Sequence, residues 1–381
     1  MVHGVPLDRF QELFAKHLAR ARSLLPADIR IWDAHTHLGV DEDGMHLASE
    51  ELLADMERAR VSRAFSFPLN DPDRRPAYRV PNDRVLEWCE ASAGRLVPFC
   101  RLDLTENPLE EAERCLDRGA RGIKLHPRAQ NFTFGEAALD PVFAIADERS
   151  VPILIHAGRG LPPIADDLRA LVERHPRAQL ILAHAAIADL QQIGRTLLDH
   201  PNVVYDTSVW GITDLRALVA TVAPEQIVWA SDAPYGMAET MTVQMAHLLH
   251  RAGADERVIR AVFWDNSERV AAGRSADVLS PALMGPTETM TLQQMRISDY
   301  IVTTTSSLWM MQPDRAGALG LALRACDANG NPDMADVAEL IEAAGDLWAE
   351  GLTHETPEEI RPYTRGTMRL LQVAMALLHT T

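Results

Sequence analysis

Short apolar segments recur along the first 275 residues, and stretches with a helical pattern separate them. Eight such segments, each five to seven residues long, can be recognised: 29–35, 63–69, 96–102, 122–126, 152–156, 180–184, 202–206 and 226–232. Strands that alternate with helices indicate βαβ units and a parallel sheet. The nearly continuous apolar character of the segments indicates a sheet that is buried on both faces.

Polar residues follow a regular pattern at the ends of these segments. Six of the eight end on a histidine or an aspartate: His35, His126, His156, His184, Asp206 and Asp232. Active sites of TIM barrels are built at the C-terminal ends of many strands, whereas a doubly wound sheet collects its chemistry mainly at one switch point. Eight units within about 250 residues is also the usual barrel size. We therefore predict an α/β fold of the (β/α)8 TIM-barrel class.

The patterns outside the predicted barrel are helical. Residues 1–28 hold an amphipathic helix, 29–275 form the barrel, and 285–381 form a helical extension with apolar residues at helical spacing over 337–348. The extension is expected to pack against the barrel or a second subunit, and a lid over the active site is the alternative. Apolar stripes in the extension make a homodimer possible.

Charge and composition narrow the classes of function. The chain has 37 basic and 54 acidic residues, a net charge of −17, which argues against nucleic acid and anionic membranes as partners. No apolar run approaches the roughly 20 residues that cross a bilayer, and the start lacks a signal-peptide pattern, so a cytoplasmic location is expected. The four cysteines show no CxxC spacing. Only two lysines occur, Lys16 and Lys124.

The first predicted strand carries the strongest local signal for a metal site. His35 and His37 are two residues apart, so in a strand their side chains point to the same face. Two imidazoles on one face form half of a zinc-type site. His156, His184 and Asp232 end other strands and are expected at the same rim. We therefore predict that a divalent metal binds there.

Several motifs resemble those of one enzyme family in order and spacing. They are Asp33-Ala-His35-Thr-His37, Gly122-Ile-Lys124-Leu-His126-Pro127, Ile155-His156-Ala-Gly158, Ala183-His184 and Ser231-Asp232. Over residues 29–273 the chain resembles the amidohydrolase superfamily, and most closely its amidohydrolase-2 branch of metal-dependent hydrolases and decarboxylases. The resemblance implies metal ligation by His35, His37, His156 and Asp232. It implies that His184 is a second-metal ligand or a catalytic residue.

Lys124 leaves the number of metal ions open. It resembles the fourth-strand lysine of binuclear relatives such as dihydroorotase, where a carboxylated lysine bridges two ions. The alternative is an unmodified lysine that anchors a substrate anion or pairs with a carboxylate. His126 shares its face and is expected to contact substrate or to support a ligand. We expect one or two ions per chain, zinc most readily and manganese as the alternative.

The predicted activity is hydrolysis of a C–N or C–O bond (amide, lactam, lactone or ester) in a small acidic molecule. Asp232 would shuttle the proton and His184 would stabilise the oxyanion. Non-oxidative decarboxylation of an aromatic or unsaturated acid, or hydration, is the alternative, and a non-catalytic barrel is the third hypothesis. The predicted substrate-binding residues, which suit a carboxylate-bearing molecule, are His126, Arg128, Arg159, Trp210 and Tyr235.

Overall fold

Ten β-strands form the centre of the structure, a computed structural model that describes residues 6–209, 211–284, 290–326 and 332–380. Their bounds are β1 Trp32–Val40, β2 His46–Leu47, β3 Arg63–Pro68, β4 Leu96–Pro98, β5 Cys100–Arg101, β6 Ile123–Leu125, β7 Pro152–Ile155, β8 Gln179–Leu182, β9 Val203–Asp206 and β10 Ile227–Val228. All neighbouring strands pair in parallel except β2, which forms an antiparallel hairpin with β1. The strands therefore lie where the apolar segments predict them.

The strands form two sheets, β2-β1-β3-β4 and β5-β6-β7-β8-β9-β10, which hydrogen bonds join at both ends. Only Phe99 separates β4 from β5, and its N–H donates to the Ser66 carbonyl on β3. At the other seam the N–H of Ala34 on β1 donates to the Trp229 carbonyl, 3.0 Å away, and the N–H of Asp232 donates to the His35 carbonyl, 2.9 Å away. Because β4 and β5 continue one another, the ring has eight strands, and the predicted TIM barrel is confirmed.

Helices surround the ring and follow its strands. Within the barrel they are α2 Ser49–Ala59, α3 Arg79–Ala91, α4 Pro108–Asp117, α5 Pro127–Gln130, α6 Leu139–Arg149, α7 Ala165–Arg174, α8 Leu190–Thr196, α9 Ile212–Thr221, α10 Ala238–Arg251, α11 Glu256–Arg260 and α12 Asn266–Ala271. A π-helical segment, Ala261–Asp265, joins α11 to α12. Short 3-10 turns cover His184–Ala186 and Pro224–Gln226.

Large apolar side chains fill the interior of the ring below the strand ends. They are Trp32, Phe65, Phe67, Phe99, Leu154, Ile181, Val204 and Val228, and all are buried. A second and larger apolar cluster lies between the strands and the surrounding helices. The packed interior leaves the C-terminal ends of the strands as the place where polar side chains meet.

The two ends of the chain form helices that pack together beside the barrel. They are α1 Pro6–Ser23, α13 Leu292–Trp309, α14 Ala318–Ala325, α15 Pro332–Gly351 and α16 Pro357–Thr380. Helix α1 contacts α10, α15 and α16, and ion pairs such as Arg9 with Glu342 and Lys16 with Asp336 tie it to α15. The N-terminal helix and the C-terminal helical extension are thus both present. Among the described helices, none has the length and apolar character needed to cross a membrane.

Candidate metal centre

Two histidines and one aspartate meet at the end of the first and last barrel strands. The Nε2 atoms of His35 and His37 are 3.1 Å apart, and each lies 3.2 Å from Oδ1 of Asp232. All three side chains are buried. Burial lowers the pKa of both imidazoles well below the usual value and raises the pKa of Asp232 well above it. Three ligand-type atoms therefore converge on one point.

A bulge in β1 separates Asp33 from the histidines that follow it. The register of β1 against β3 shifts between Asp33 and Thr36. The Asp33 carboxylate accepts the N–H groups of His35, at 3.1 Å, and Ser231, at 2.9 Å. Burial raises the pKa of Asp33 to about 7. Asp33 thus holds the backbone of the two strands that carry His35 and Asp232.

Asp206, the last residue of β9, fixes the orientation of the His35 ring. Its Oδ2 lies 2.7 Å from Nδ1 of His35, and its Oδ1 accepts the N–H groups of His184 and Ser208. Because the carboxylate accepts, Nδ1 of His35 carries the hydrogen and Nε2 offers its lone pair toward Asp232. A carboxylate behind a histidine is a frequent arrangement around protein-bound metals.

His184 occupies a sharp turn after β8 and completes the cluster. Its φ is +58°, and Asp232 has a φ of +63°; both are left-handed values that non-glycine residues seldom adopt. Nδ1 of His184 lies 2.8 Å from the Ser208 carbonyl, so Nε2 bears the lone pair. Among the described residues, His35, His184 and Asp232 offer ligand atoms that all lie within 4.8 Å of one another.

His156 and His126 stack on the opposite side of the cluster. Their ring centroids are 3.9 Å apart with planes 10° from parallel. Nδ1 of His156 lies 3.0 Å from Nε2 of His184, whereas the buried Nε2 of His156 has no hydrogen-bond partner within the described ranges. A Cβ at Gly158 would come within 2.9 Å of the His184 ring and 3.1 Å of the His156 ring, so a glycine permits this approach. His156 therefore contacts the cluster of His35, His37 and Asp232 indirectly, through His184.

Lys124 reaches the cluster from β6. Its Nζ is fully buried, 3.5 Å from Nε2 of His35 and 4.6 Å from the centre of the Phe67 ring. Burial, with a contribution from Arg101, lowers the pKa of Lys124 to about 7. A lysine with this pKa is partly a neutral amine near pH 7, the form that can react with CO₂ or accept a proton.

The assembled donors suit a divalent ion. Imidazole nitrogens and a carboxylate oxygen are the ligands that zinc and manganese use. The lone pairs of His35 and His184 point inward because Asp206 and the Ser208 carbonyl hold their other nitrogens. The buried Nε2 of His156, which has no hydrogen-bond partner among the described residues, offers a further ligand atom to an ion. This donor set fits the metal that the strand-end pattern predicts.

Residues 32–270 match the family model described as Amidohydrolase. The chain belongs to the amidohydrolase family. No curated protein matches this amidohydrolase. The family thus agrees with the resemblance in the strand-end motifs, and its match spans the barrel.

Several solved structures share the barrel. One is an uncharacterised TIM-barrel protein from Bordetella bronchiseptica, at 14% identity and a TM-score of 0.53, with 64% of this chain and 99% of that chain covered. Another is 5-carboxyvanillate decarboxylase from Sphingomonas paucimobilis, at 15% identity and a TM-score of 0.52, with 64% and 99% covered. A third is 4-oxalomesaconate hydratase from Rhodopseudomonas palustris, at 15% identity and a TM-score of 0.50, with 64% and 96% covered. At these sequence identities, the similarities show a shared fold and nothing more.

Three predicted substrate-binding residues of this amidohydrolase lie at the rim of the barrel. Arg128 and Arg159 are exposed, and within the described ranges neither forms an ion pair. The Tyr235 hydroxyl donates to Asp41 at 2.6 Å, and its ring stands edge-on to His37 with centroids 5.8 Å apart. Trp210, another of the five predicted substrate-binding residues, lies outside the described residues. The two arginines therefore remain available to an anion.

Arg101, at the end of β5, is a charged group outside the five substrate-binding residues named above. It is 1% exposed, and its Nη1 donates to the Pro68 carbonyl at 3.2 Å. Its Nε and Nη2 are buried without a hydrogen-bond partner among the residues that the structure describes. Its charge helps to lower the pKa of His37 and Lys124, which places it beside the cluster. The feature of the sequence that indicates Arg101 is its place as a basic residue at the end of an apolar strand.

Proposed function

We propose that this member of the amidohydrolase family is a metal-dependent hydrolase that cleaves a C–N or C–O bond in a small carboxylate-bearing molecule. The observation that carries the proposal is the position of Asp232, whose Oδ1 lies 3.2 Å from both His35 and His37. A carboxylate at the point where imidazole lone pairs converge can both hold an ion and move a proton. The bond would belong to an amide, lactam, lactone or ester.

His35, His37, His184 and Asp232 would hold the ion, and His156 would join them through a rotation of its ring. A bound divalent ion lowers the pKa of water toward neutrality and polarises a carbonyl group. Zinc is the ion we expect, with manganese as the alternative. Lys124 decides between one ion and two: if carboxylated it becomes an oxygen ligand, and if unmodified it stays a cation beside His35.

The remaining roles follow from the orientation of each side chain. Asp232 would take a proton from the attacking water and deliver it to the leaving nitrogen or oxygen. The Nδ1–H of His184 is directed at the Ser208 carbonyl, so its Nε2 suits metal ligation better than donation to an oxyanion. His126, Lys124 and Tyr235 would then contact the substrate from the sides.

Arg101 supports the choice of a carboxylate-bearing substrate. Burying a guanidinium without an anion is costly, and a carboxylate would satisfy its two free N–H groups. Arg128 and Arg159 would guide the same anion into the barrel, since they add positive charge at the mouth of a chain with a net charge of −17.

Decarboxylation is the second candidate, and Arg101 again favours it. A guanidinium and Lys124 in the same buried space suit a substrate whose carboxylate lies deep in the barrel. Protonated Asp232 would then deliver its proton to carbon. One solved structure with this fold is a decarboxylase and another is a hydratase.

The test combines metal analysis with a panel of lactones, amides and aromatic acids. We expect the purified full chain to hold one or two ions and to release acid from a lactone or amide, while release of CO₂ from an aromatic acid would favour the second candidate. The Arg101→Gln variant should raise KM for the active carboxylate substrate by about 10- to 100-fold, as expected when a charged hydrogen bond is lost.

Two controls separate the site from general damage to the fold. The double variant His35→Ala with His37→Ala should lose the metal and keep its circular dichroism spectrum. Full metal retention in that variant, or an unchanged KM in Arg101→Gln, would contradict the assignment.

A further inference from the structure

A second cavity lies outside the barrel, behind the strands that carry the metal ligands. Its volume is about 640 Å³, which is within the range of small-molecule sites. Its walls are α2, the β2 hairpin, the segment 231–239 and one face of α16. Asp33 and Ser231 form part of its lining, whereas His35 and Asp232 lie on the inner side of the same backbone. The cavity is therefore separate from the metal centre.

Three arginines of α16 line this cavity. Arg361, Arg365 and Arg369 are four residues apart, so they share one face of the helix. Arg369 forms an ion pair with Glu239 and lies 3.8 Å from the centre of the Phe14 ring. Arg361 and Arg365 have no carboxylate within ion-pair distance in the part of the chain that the structure describes. Two guanidinium groups thus line the cavity without an ion-pair partner among the described residues.

The surroundings of Arg365 show how poorly its charge is balanced. Its closest polar contact is the Met45 sulfur, 3.7 Å from Nη2. Burial first, and then repulsion from Arg361, lower the pKa of Arg365. Like charges on successive turns of a helix destabilise it slightly, so an anion between them would be favourable.

The acidic residues of the opposite wall already have partners. Asp55 pairs with Arg58 on α2, and Oε2 of Glu51 accepts the N–H of Ala48 at 2.9 Å. Glu239 is held by Arg369. Among the described residues, the four carboxylates of the lining (Asp33, Glu51, Asp55 and Glu239) are thus engaged away from Arg361 and Arg365.

The rest of the lining is largely apolar. It includes Met45, Leu47, Leu52, Met56, Pro234 and Met237. Methionine side chains adapt to ligands of different shapes. The cavity thus offers an apolar surface at one side and two free guanidinium groups at the other.

We propose that this cavity binds a small organic anion, an apolar body with a phosphate or carboxylate group that Arg361 and Arg365 hold. Guanidinium groups pair with either oxyanion in bidentate geometry, so the two head groups share one chemistry. The apolar body lies against the methionines and leucines of α2 and the β2 hairpin. Substrate in the barrel and anion in the cavity occupy opposite sides of the backbone at Asp33.

Calorimetric titration of the full chain with phenyl phosphate and with benzoate at constant ionic strength tests this site. We expect binding to the wild type, and at least tenfold weaker binding to the double variant Arg361→Gln with Arg365→Gln. The matched control, Arg149→Gln with Arg257→Gln, removes two exposed arginines elsewhere and should bind like the wild type. The two titrants show which oxyanion the pair prefers.

Arg101→Gln distinguishes the cavity from the barrel, because it alters only the site inside the ring. Binding that survives in Arg101→Gln but is lost in the α16 double variant supports the cavity. The proposal is overturned if neither titrant binds the wild type, if the control loses affinity equally, or if only Arg101→Gln loses it. The titration uses no turnover, so its outcome is independent of the proposed hydrolase activity.

Discussion

The two sides of the barrel mouth differ in how completely their polar groups are satisfied. On the side of β1, β9 and β10, His35 is held between Asp206 at 2.7 Å and Asp232 at 3.2 Å. On the side of β5, β6 and β7, His156 Nε2 and two nitrogens of Arg101 are buried without hydrogen-bond partners in the described part of the chain. His184 joins the two sides through Nε2, which is 3.0 Å from His156.

This difference assigns separate tasks to the two sides. On the first side Asp206 already orients His35, and a fixed tautomer keeps its lone pair directed at an ion, although Nδ1 of His37 is buried there without a hydrogen-bond partner among the described residues. A buried donor without a partner costs about 1–3 kcal/mol. Groups such as Arg101 are therefore expected to gain their partner from the substrate. We thus assign the β1–β10 side to the metal and the β5–β7 side chiefly to the substrate, with His156 reaching the metal only after its ring rotates.

Asp232→Asn should produce the largest effect, because it removes the group that we propose moves the proton. We expect turnover to fall by about 10²- to 10⁴-fold, the usual contribution of general acid–base catalysis. The amide keeps the size of the side chain, so the melting temperature should change little. Asp41→Asn, which removes a carboxylate that hydrogen-bonds Tyr235 at the same mouth, is the control. A wild-type rate in Asp232→Asn would show that another group carries the proton.

Asp206→Asn should weaken metal binding by about 10- to 100-fold, the usual cost of losing a group behind a ligand. An asparagine NH₂ directed at Nδ1 of His35 would favour the tautomer with hydrogen on Nε2, which cannot bind an ion. Competition with a chromophoric chelator measures the affinity. Ser208→Ala leaves the carbonyl that holds His184 and should stay within a few-fold of wild type. Equal affinity in Asp206→Asn and wild type would remove the basis for calling this side the metal side.

The fold and the residue types of the site follow from local patterns in the sequence. Eight apolar segments with polar last residues are enough to predict the barrel, since parallel strands present their C-terminal ends at one rim. His35 and His37 share a face because strand side chains alternate. These features depend on residues close together in the chain.

The contacts among the site residues depend on register and long-range packing, which local patterns do not contain. Asp206 is 171 residues from His35 in the sequence, and nothing near it indicates that it fixes that ring. The bulge in β1 directs Asp33 to the outer cavity, although regular alternation would place it on the same face as His35. The arginines of α16 face a cavity only because the helix packs beside α10.

His126→Ala should give the smallest effect. It tests where the metal side of the mouth ends and the substrate side begins. The His126 ring stacks on His156, and its Nδ1 accepts the N–H of Ala129 at 3.2 Å. Because it has no contact with the ligand atoms of His35 or Asp232 among the described hydrogen bonds, metal affinity should stay at the wild-type value. The loss of one neutral hydrogen bond to substrate, about 0.5–1.5 kcal/mol, should raise KM by roughly 2- to 10-fold.

The comparison variant is His126→Gln, whose side-chain amide can replace the lost hydrogen bond while lacking the stacked ring. A wild-type KM in His126→Gln would show that His126 acts on the substrate through a hydrogen bond rather than through its stacking on His156. Chelator competition on the same proteins reports metal affinity separately from KM. A loss of metal in His126→Ala comparable to that of Asp206→Asn would show that the stack of His126 on His156 is needed for metal binding, and the assignment of the β5–β7 side chiefly to the substrate would then be wrong.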